Sequence, residues 1–192
     1  MNREELGHVG GCAAVIKALN SFGNINENVA NNGCLAVVNL AMEDANIQEL
    51  GRSGACTAVV EALNSFGNTN ENVADNGCHA VNILTFNNAN NKQEFERVRG
   101  CAAVIKTLNS FGSVNMRVAV HGCGAIGNFT FESAANLEEL GRSGACAAVI
   151  KALNSFGGVN EDVAIRGCYG LALLLWTMRI TENLVVVEHV RQ

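Results

Sequence analysis

The heptapeptide KALNSFG at residues 17–23 is followed by three near-copies, EALNSFG at 61–67, KTLNSFG at 106–112 and KALNSFG at 151–157. A second motif keeps the same register, as VANNGC at 29–34, VADNGC at 73–78, VAVHGC at 118–123 and VAIRGC at 163–168. Successive copies lie 44 or 45 residues apart, and a period in this range is typical of a solenoid of stacked units. The sequence therefore predicts one repeat domain over 1–192, with units at about 1–45, 46–90, 91–135 and 136–180.

Each unit is predicted to contain three helices, and the first opens with an asparagine followed three residues later by a glutamate. Such a pair can cap a helix start reciprocally, because each side chain satisfies an unpaired backbone N–H. The pairs are Asn2 with Glu5, Asn46 with Glu49, Asn91 with Glu94 and Asn136 with Glu139. After the fourth unit, ITENLVVVEHVRQ at 180–192 resembles a further first helix. Residues 181–192 are therefore expected to be part of a fifth unit or a C-terminal helix.

The second helix of each unit has apolar residues at helical spacing and ends in a phenylalanine followed by a glycine. Because the phenylalanines recur in every unit, they are expected in the core. The glycines are expected to form left-handed C-terminal caps. These residues are Phe22, Phe66, Phe111 and Phe156, followed by Gly23, Gly67, Gly112 and Gly157.

The third helix is predicted to start after an asparagine cap and to carry a glycine in its middle. Glycine in a helix interior costs about 0.5–1 kcal/mol relative to alanine, so its presence in every unit indicates a close helix crossing. The predicted caps are Asn26, Asn70, Asn115 and Asn160, and the glycines are Gly33, Gly77, Gly122 and Gly167.

The eight cysteines follow the repeat spacing in two series, Cys12, Cys56, Cys101 and Cys146, then Cys34, Cys78, Cys123 and Cys168. Neither series has the close C-x-x-C pairing of a zinc or redox site. Free cysteine is a small and readily buried hydrophobe. We therefore predict reduced core thiols and no metal site, with disulfides or metal ligation as the alternatives.

Composition limits the classes of partner. The net charge is −5 with no cluster of Lys or Arg, whereas nucleic acid binding needs clustered cations. The first ten residues are too polar for a signal peptide. The longest apolar run, CYGLALLLWTM at 168–178, is shorter than the roughly 20 residues that span a bilayer. A soluble protein is expected, cytoplasmic or in the nucleus, with no nucleic acid or membrane partner.

Three local motifs have simpler structural interpretations. Residues 122–127 fit GxGxxG, but that fingerprint binds a dinucleotide only at a strand-to-helix turn, and here it falls within a third helix. The sequon at Asn128 also falls within a helix. His79 and His121 are expected on neighbouring third helices as surface histidines. No nucleophile, base and orienting group stand apart from the repeat, so we predict no enzyme activity, no catalytic residue and no cofactor.

The order of these motifs resembles the armadillo (ARM) repeat family. The resemblance is strongest in NENVANNGCLAVVNLA at 26–41 followed by NIQELGRSGACTAVVEAL at 46–63. HEAT repeats are close relatives, but they usually have two helices and a proline-bearing first helix, and this chain has no proline. The resemblance implies an all-α fold: a right-handed α-solenoid of armadillo-like three-helix repeats, four in number, plus the first helix of a fifth.

In armadillo proteins the third helices line a concave face, where an asparagine near the helix end contacts an extended peptide. The resemblance places that position at Asn39, Ile83, Asn128 and Leu173. Four residues earlier, where peptide-binding members often carry tryptophan, the chain has Leu35, His79, Gly124 and Tyr169. Further back along the same face are Asn32, Asn76, His121 and Arg166, and then Asn28, Asn72, Arg117 and Asp162.

These residues lead to a leading hypothesis and an alternative. The first is a non-enzymatic scaffold that binds a partner protein or extended peptide on the concave face, although the missing tryptophans argue against a classical nuclear-import cargo. A merely solvated face would explain the same polar residues. The alternative function is structural, with self-association through uncapped ends near Leu171, Leu174 and Trp176, or a place within a longer armadillo array.

Overall fold

A computed structural model describes residues 3–130, 140 and 143–190, and their side chains as far as residue 176. Within this part of the chain every regular element is an α-helix, as the all-α solenoid prediction requires. Asn2, Asn136 and Glu139 lie outside the described residues, as do residues 191–192. The capping pairs proposed for the first and fourth units therefore stay predictions.

The helices follow the predicted units. The first unit contains α1 (Arg3–His8), α2 (Gly11–Phe22) and α3 (Glu27–Leu40). The second contains α4 (Asp44–Arg52), α5 (Ala55–Phe66) and α6 (Glu71–Thr85). The third contains α7 (Ala89–Arg97), α8 (Gly100–Phe111) and α9 (Met116–Thr130). The described part of the fourth contains α10 (Ala145–Phe156) and α11 (Glu161–Val190).

The last helix differs from the other third helices in length. Whereas α3 ends at Leu40 and α6 at Thr85, α11 continues without a break from Glu161 to Val190. Residues 181–190 therefore extend this helix and do not form the separate first helix of a fifth unit. The sequence explains the difference, because residues 175–181 contain no glycine, proline or asparagine that would end the helix.

The predicted caps of the third helices are confirmed. The Asn26 side-chain oxygen accepts hydrogen bonds from the backbone N–H groups of Asn28 and Val29, at 3.0 and 3.2 Å. Asn70, Asn115 and Asn160 cap α6, α9 and α11 in the same way. The caps also connect neighbouring units. Their amide nitrogens donate from Asn70 to Glu27, from Asn115 to Glu71 and from Asn160 to the Met116 sulfur.

The predicted caps of the first helices are wrong for the second and third units. Asn46 lies inside α4 and is 3% exposed, and its side-chain nitrogen donates to the carbonyls of Arg3 and Leu40. Asn91 is buried in α7 and donates to the Leu84 carbonyl. Asn88, three residues earlier, is the actual α7 cap. The repeated asparagine instead satisfies a carbonyl at the end of the preceding third helix, where the helix has no partner for it.

The mid-helix glycines of the third helices mark a close crossing, as predicted. A side-chain carbon on Gly77 would lie 2.5 Å from Leu63, and one on Gly122 would lie 2.6 Å from Leu108. Gly33 and Gly167 face Leu19 and Leu153 in the same way. Each leucine of a second helix thus packs directly on the backbone of the third helix in its own unit, and this contact recurs along the solenoid.

The phenylalanines that end the second helices contribute less to the core than expected. Phe22 is 55% exposed, and Phe66, Phe111 and Phe156 are only half-buried. Each is the last helical residue before a turn. The centre of the core is filled instead by leucines three residues earlier along the same helices, such as Leu63 and Leu108.

The glycines that follow these phenylalanines are not left-handed caps. Gly23 has φ −66° and Gly157 has φ −63°, both right-handed helical values. Positive φ occurs instead just before the second helices, at Gly10, Gly54 and Gly144 with φ between 82° and 90°. The third unit places Arg99 there with φ 59°. The sharp change of direction therefore lies between the first and second helices.

The cysteines are free and mostly buried. Six of them have no exposed surface, and burial raises the pKa of the Cys34 and Cys56 thiols to about 12. The prediction of core thiols is wrong for Cys168, which is exposed, while Cys146 is half-buried. Both belong to the fourth unit, where no described following unit covers the positions that are buried in the others.

Candidate functional site

The third helices lie side by side through the stack. α3 contacts α6, α6 contacts α9, and α9 contacts α11. The sixteen positions indicated by the armadillo resemblance form four rows along these helices, with one residue of each row on each helix. We call this surface the third-helix face. Its rows are Asn28, Asn72, Arg117 and Asp162; Asn32, Asn76, His121 and Arg166; Leu35, His79, Gly124 and Tyr169; Asn39, Ile83, Asn128 and Leu173.

The accessibility of this face changes along the stack. All four α3 positions are exposed, as are Asn72, Arg117, Asp162 and Tyr169. Half-buried positions are His79, Ile83, His121, Asn128, Arg166 and Leu173. The exceptions are Asn76, which is 8% exposed, and Gly124, which is buried. Most of the predicted residues can therefore contact a bound molecule, but these two contribute little surface.

An amide network joins the first two third helices. The Asn76 side-chain nitrogen donates to the Asn31 side-chain oxygen at 2.8 Å, and Asn31 donates in turn to Asn32 at 3.4 Å. Asn76 is therefore engaged within the protein, and Asn32 is the exposed end of this network. Sequence analysis missed Asn31, because its counterparts in the other units are Asp75, Val120 and Ile165 and show no common polar pattern.

Asn128 is similarly engaged across α6 and α9. Its side-chain nitrogen lies 2.9 Å from the Asn82 carbonyl, 3.1 Å from the Asn82 side-chain oxygen and 3.2 Å from the Thr85 hydroxyl. The armadillo resemblance assigned Asn128 to peptide binding, whereas its N–H groups here stabilise the contact between two units. Asn39, the matching residue of α3, is exposed.

A polar cluster occupies the centre of the face, between α6 and α9. The rings of His79 and His121 stack with centroids 3.8 Å apart and planes within 7°. Asp75 binds Arg117 at 2.9 Å and lies 3.7 Å from His121. The histidines were expected at the surface but are half-buried and in contact. Sequence analysis missed Asp75, and its only signal was a charged residue at a position where the other units have none.

Burial, assisted by nearby charges, favours the neutral form of both rings. The pKa of His121 is lowered to about 3, chiefly by burial and then by the neighbouring His79, Arg166 and Arg117. Burial also lowers the pKa of His79, again with Arg117 and Arg166 contributing. Burial raises the pKa of Asp75, and the nearby Arg117 acts in the opposite direction. Arg117 and Arg166 therefore add to the effect of burial in disfavouring protonation of the two imidazoles.

Two side chains of α11 lie over glycines of α9. A side-chain carbon on Gly124 would lie 2.7 Å from an Arg166 guanidinium nitrogen and 2.7 Å from the Asn82 side-chain oxygen. A carbon on Gly127 would lie 3.1 Å from the Tyr169 ring. The bare backbone of α9 thus lets Arg166 reach towards α6.

Gly124 belongs to the GxGxxG string of the sequence. This string lies within α9 and makes no strand-to-helix turn.

Two buried polar atoms in the central cluster have no hydrogen-bond partner. They are one carboxylate oxygen of Asp75 and Nδ1 of His121. An unsatisfied buried polar atom costs about 1–3 kcal/mol, and such atoms are few in native proteins.

An apolar pocket adjoins Asn39 at the first unit. It has a volume of about 260 Å³, and its walls include Leu6, Val15, Ala36 and Leu40. Among the described residues, no group of three or more His, Cys, Asp or Glu side chains is placed to hold a metal ion. None of the helices, as far as the chain is described, combines the length and apolar character needed to cross a membrane.

Comparison with known proteins agrees with this architecture. A sequence profile of the GAC ARM domain matches residues 68–172, more than half of the chain. The chain belongs to the GAC ARM domain family. No curated protein matches this ARM domain.

Solved structures share the fold. An engineered protein is 18% identical with a TM-score of 0.74, covering 91% of this ARM domain and 66% of its own chain. A designed armadillo repeat protein is 23% identical with a TM-score of 0.73, covering 90% and 68%. Another, solved in complex with the peptide (KR)4, is 19% identical with a TM-score of 0.72, covering 97% and 77%. This ARM domain thus spans about two thirds of the length of the first two.

Proposed function

We propose that this ARM domain is a non-enzymatic scaffold that binds an extended segment of a partner protein on the third-helix face, the concave face of the solenoid. The observation that carries the proposal is the contrast between two sets of repeated positions. Core positions such as Leu63 and Leu108 keep one residue type in every unit. Positions on the third-helix face are mostly accessible and change from unit to unit.

Variation at accessible positions suits recognition of one particular sequence. A segment running across the four helices would meet asparagines on α3 and α6, then the histidine stack, then Arg166 and Tyr169. An extended peptide has unpaired backbone N–H and C=O groups, which side-chain amides such as those of Asn28 and Asn39 can bind. The apolar pocket beside Asn39 offers space for one hydrophobic side chain.

The solved structures add support of a general kind. One designed armadillo repeat protein with the same type of fold was solved in complex with the peptide (KR)4. At 19% identity this likeness concerns the fold, so the choice of partner rests on the residues of this chain. Action in the cytoplasm or the nucleus, without nucleic acid or membrane partners, is part of the proposal.

Selection from a random peptide display library tests the assignment of the face. The test variant replaces Asn39, His79 and Tyr169 with alanine, because the first and last are exposed, His79 is half-buried, and none of them caps a helix. Asn128 is left intact, since its loss would disturb the contact between α6 and α9. A matched control replaces Asn64, Ser65 and Lys106 with alanine, which are exposed residues of the second helices.

Peptides selected by the wild-type protein should lose binding to the face variant and keep binding to the control. Circular dichroism melting of both variants checks that each is folded. Selected peptides that bind the folded face variant as well as the wild type would refute the proposal. A selection without any enriched peptide would also count against it.

A second candidate function, self-association, is favoured by apolar side chains exposed on the fourth unit. Ile150 is 47% exposed, although its counterparts Ile16 and Ile105 are 1% and 3% exposed. Leu175 and Trp176 are also exposed, at 60% and 63%. Sedimentation equilibrium over a range of concentrations tests this candidate. A dimer that Trp176→Glu dissociates would support it, and a monomer at every concentration would exclude it.

A further inference from the structure

The cations of the third-helix face are all on α9 and α11. Arg117 is one of them, and it is bound to Asp75. Arg166 is the other, and among the described residues it forms no ion pair within 4 Å. Asp162 precedes Arg166 by one turn and is exposed, and it forms no ion pair with Arg166 within 4 Å. The Arg166 guanidinium therefore has no carboxylate within 4 Å in the described part of the chain.

The absence of a side chain at Gly124 of α9 leaves room for Arg166. Its guanidinium lies against Gly124, where any side chain would collide with it, and so reaches the groove between α9 and α6. The residue is half-buried, which reduces the screening of its charge by water. A guanidinium presents a planar fork of donors that matches the two oxygens of a carboxylate.

The neighbouring groups also favour an anion. The rings of His79 and His121 stack on each other, and Arg117 and Arg166 lie near enough to lower the pKa of both histidines. Asp75, on the facing side of the groove, is already bound by Arg117. Glu71, at the start of α6, accepts a hydrogen bond from Asn115. Asp75 and Glu71 thus have partners, whereas Arg166 forms no ion pair among the described residues.

We propose that Arg166, with the His79–His121 stack as its neighbour, is a subsite for a carboxylate side chain of the bound segment, so that the partner is an acidic extended peptide. The proposal rests on the proposed function and specifies its partner. It also assigns the two halves of the face different tasks, since α3 and α6 offer amides to the peptide backbone while α9 and α11 bind its acidic side chain.

Fluorescence anisotropy with three labelled peptides of one length tests the proposal. The probes are (Glu-Ser)4, (Gln-Ser)4 and (Lys-Ser)4, measured at low ionic strength. We expect (Glu-Ser)4 to bind most tightly and (Lys-Ser)4 most weakly. Added salt should weaken the binding of (Glu-Ser)4 more than that of (Gln-Ser)4, because salt screens the attraction to Arg166.

Three variants test whether the preference for (Glu-Ser)4 depends on Arg166. Arg166→Gln should weaken the binding of (Glu-Ser)4 about tenfold, since a charged hydrogen bond contributes about 1.5 kcal/mol or more, and should leave (Gln-Ser)4 unchanged. Lys106→Gln removes the same charge from exposed α8 surface and should have little effect. Arg166→Lys keeps the charge without the planar fork and should be intermediate. Melting curves of all three variants check that each is folded.

Three results would contradict the proposed carboxylate subsite. Equal or tighter binding of (Lys-Ser)4, no binding of (Glu-Ser)4, or equal losses in Arg166→Gln and Lys106→Gln would each overturn the acidic subsite. The display selection then separates the two proposals. Selected peptides that depend on Asn39, His79 and Tyr169 but carry no acidic residue would leave the binding face standing and refute the subsite alone.

Discussion

The two halves of the third-helix face share their scaffold but differ in chemistry. Two rows of the face, those that begin with Asn28 and Asn32, contain only asparagine on α3 and α6: Asn28, Asn32, Asn72 and Asn76. On α9 and α11 the same rows contain Arg117, His121, Asp162 and Arg166. Beneath both halves, a leucine of the second helix packs on a mid-helix glycine of the third. The surface can therefore change from amides to charges without a change in the packing that supports it.

The largest expected effect is one that the two halves share. Leu63→Ala and Leu108→Ala each remove a fully buried side chain from the crossing of a second and a third helix. Each should reduce the free energy of unfolding by about 2–5 kcal/mol. Urea unfolding followed by circular dichroism measures both losses. A loss below about 1 kcal/mol at either site would contradict a common scaffold.

The next effect concerns the asparagines that join units. Asn91→Ala leaves the Leu84 carbonyl without its side-chain donor inside the protein, and Asn46→Ala does the same to the Arg3 and Leu40 carbonyls. A buried polar group without a partner costs about 1–3 kcal/mol, so both variants should unfold at lower urea concentration. Exposed Asn109→Ala is the control. If the three variants have equal stability, these bonds do not hold the units together.

The histidine stack should make stability depend on pH. The pKa of folded His121 is lowered to about 3, below the unfolded value near 6.5, so the unfolded state binds a proton first as the pH falls. Between about pH 7 and 5.5 this costs about 1 kcal/mol of stability, and His79 acts in the same direction. Asp75 opposes the loss, because its raised pKa favours proton uptake by the folded state.

His121→Asn copies the residue that α3 and α6 have in the same row. It should therefore flatten the pH dependence of the urea midpoint between about pH 7 and 5.5. Asn109→Ala, at an exposed position of α8, removes no titratable group, so it is the control that should leave that dependence unchanged. An identical slope in wild type and His121→Asn would show that the stack is not responsible.

The smallest effect on stability is expected at Gly124. Gly124→Ala displaces the flexible ends of Arg166 and Asn82, and the higher helix propensity of alanine offsets this, so stability should change by less than about 1 kcal/mol. Gly122→Ala collides with the buried Leu108 and should destabilise by about 1–3 kcal/mol. Only Gly124→Ala should weaken (Glu-Ser)4 while the protein stays stable. Unchanged affinity would argue against the placement of Arg166.

Much of the scaffold could be predicted because the chain contains several copies of each feature. Repetition identified Asn70 as a helix cap and Gly77 as a crossing point, and both predictions are confirmed. The same repetition misled where two roles fit one residue type. Asn46 followed by Glu49 has the pattern of a cap, yet the structure uses its amide to bind carbonyls of neighbouring segments.

The site was less accessible to sequence analysis. The resemblance placed the rows on the third helices, but it could not say which amides are already engaged, as Asn128 is with Asn82. Asp75 occurs at that position in one unit only, so no repeated pattern indicated it. The contact between His79 and His121 depends on the lateral spacing of α6 and α9, which follows from packing across units and not from the sequence of either helix.

The most direct test of the binding face is an NMR titration of the isotope-labelled protein with (Glu-Ser)4. The account predicts that backbone amide shifts change on α9 and α11, with the largest changes near His121, Arg166 and Tyr169. Amides of the second helices, such as that of Lys106, should stay in place. Shift changes confined to the second helices, or spread evenly over the chain, would contradict recognition by the third-helix face.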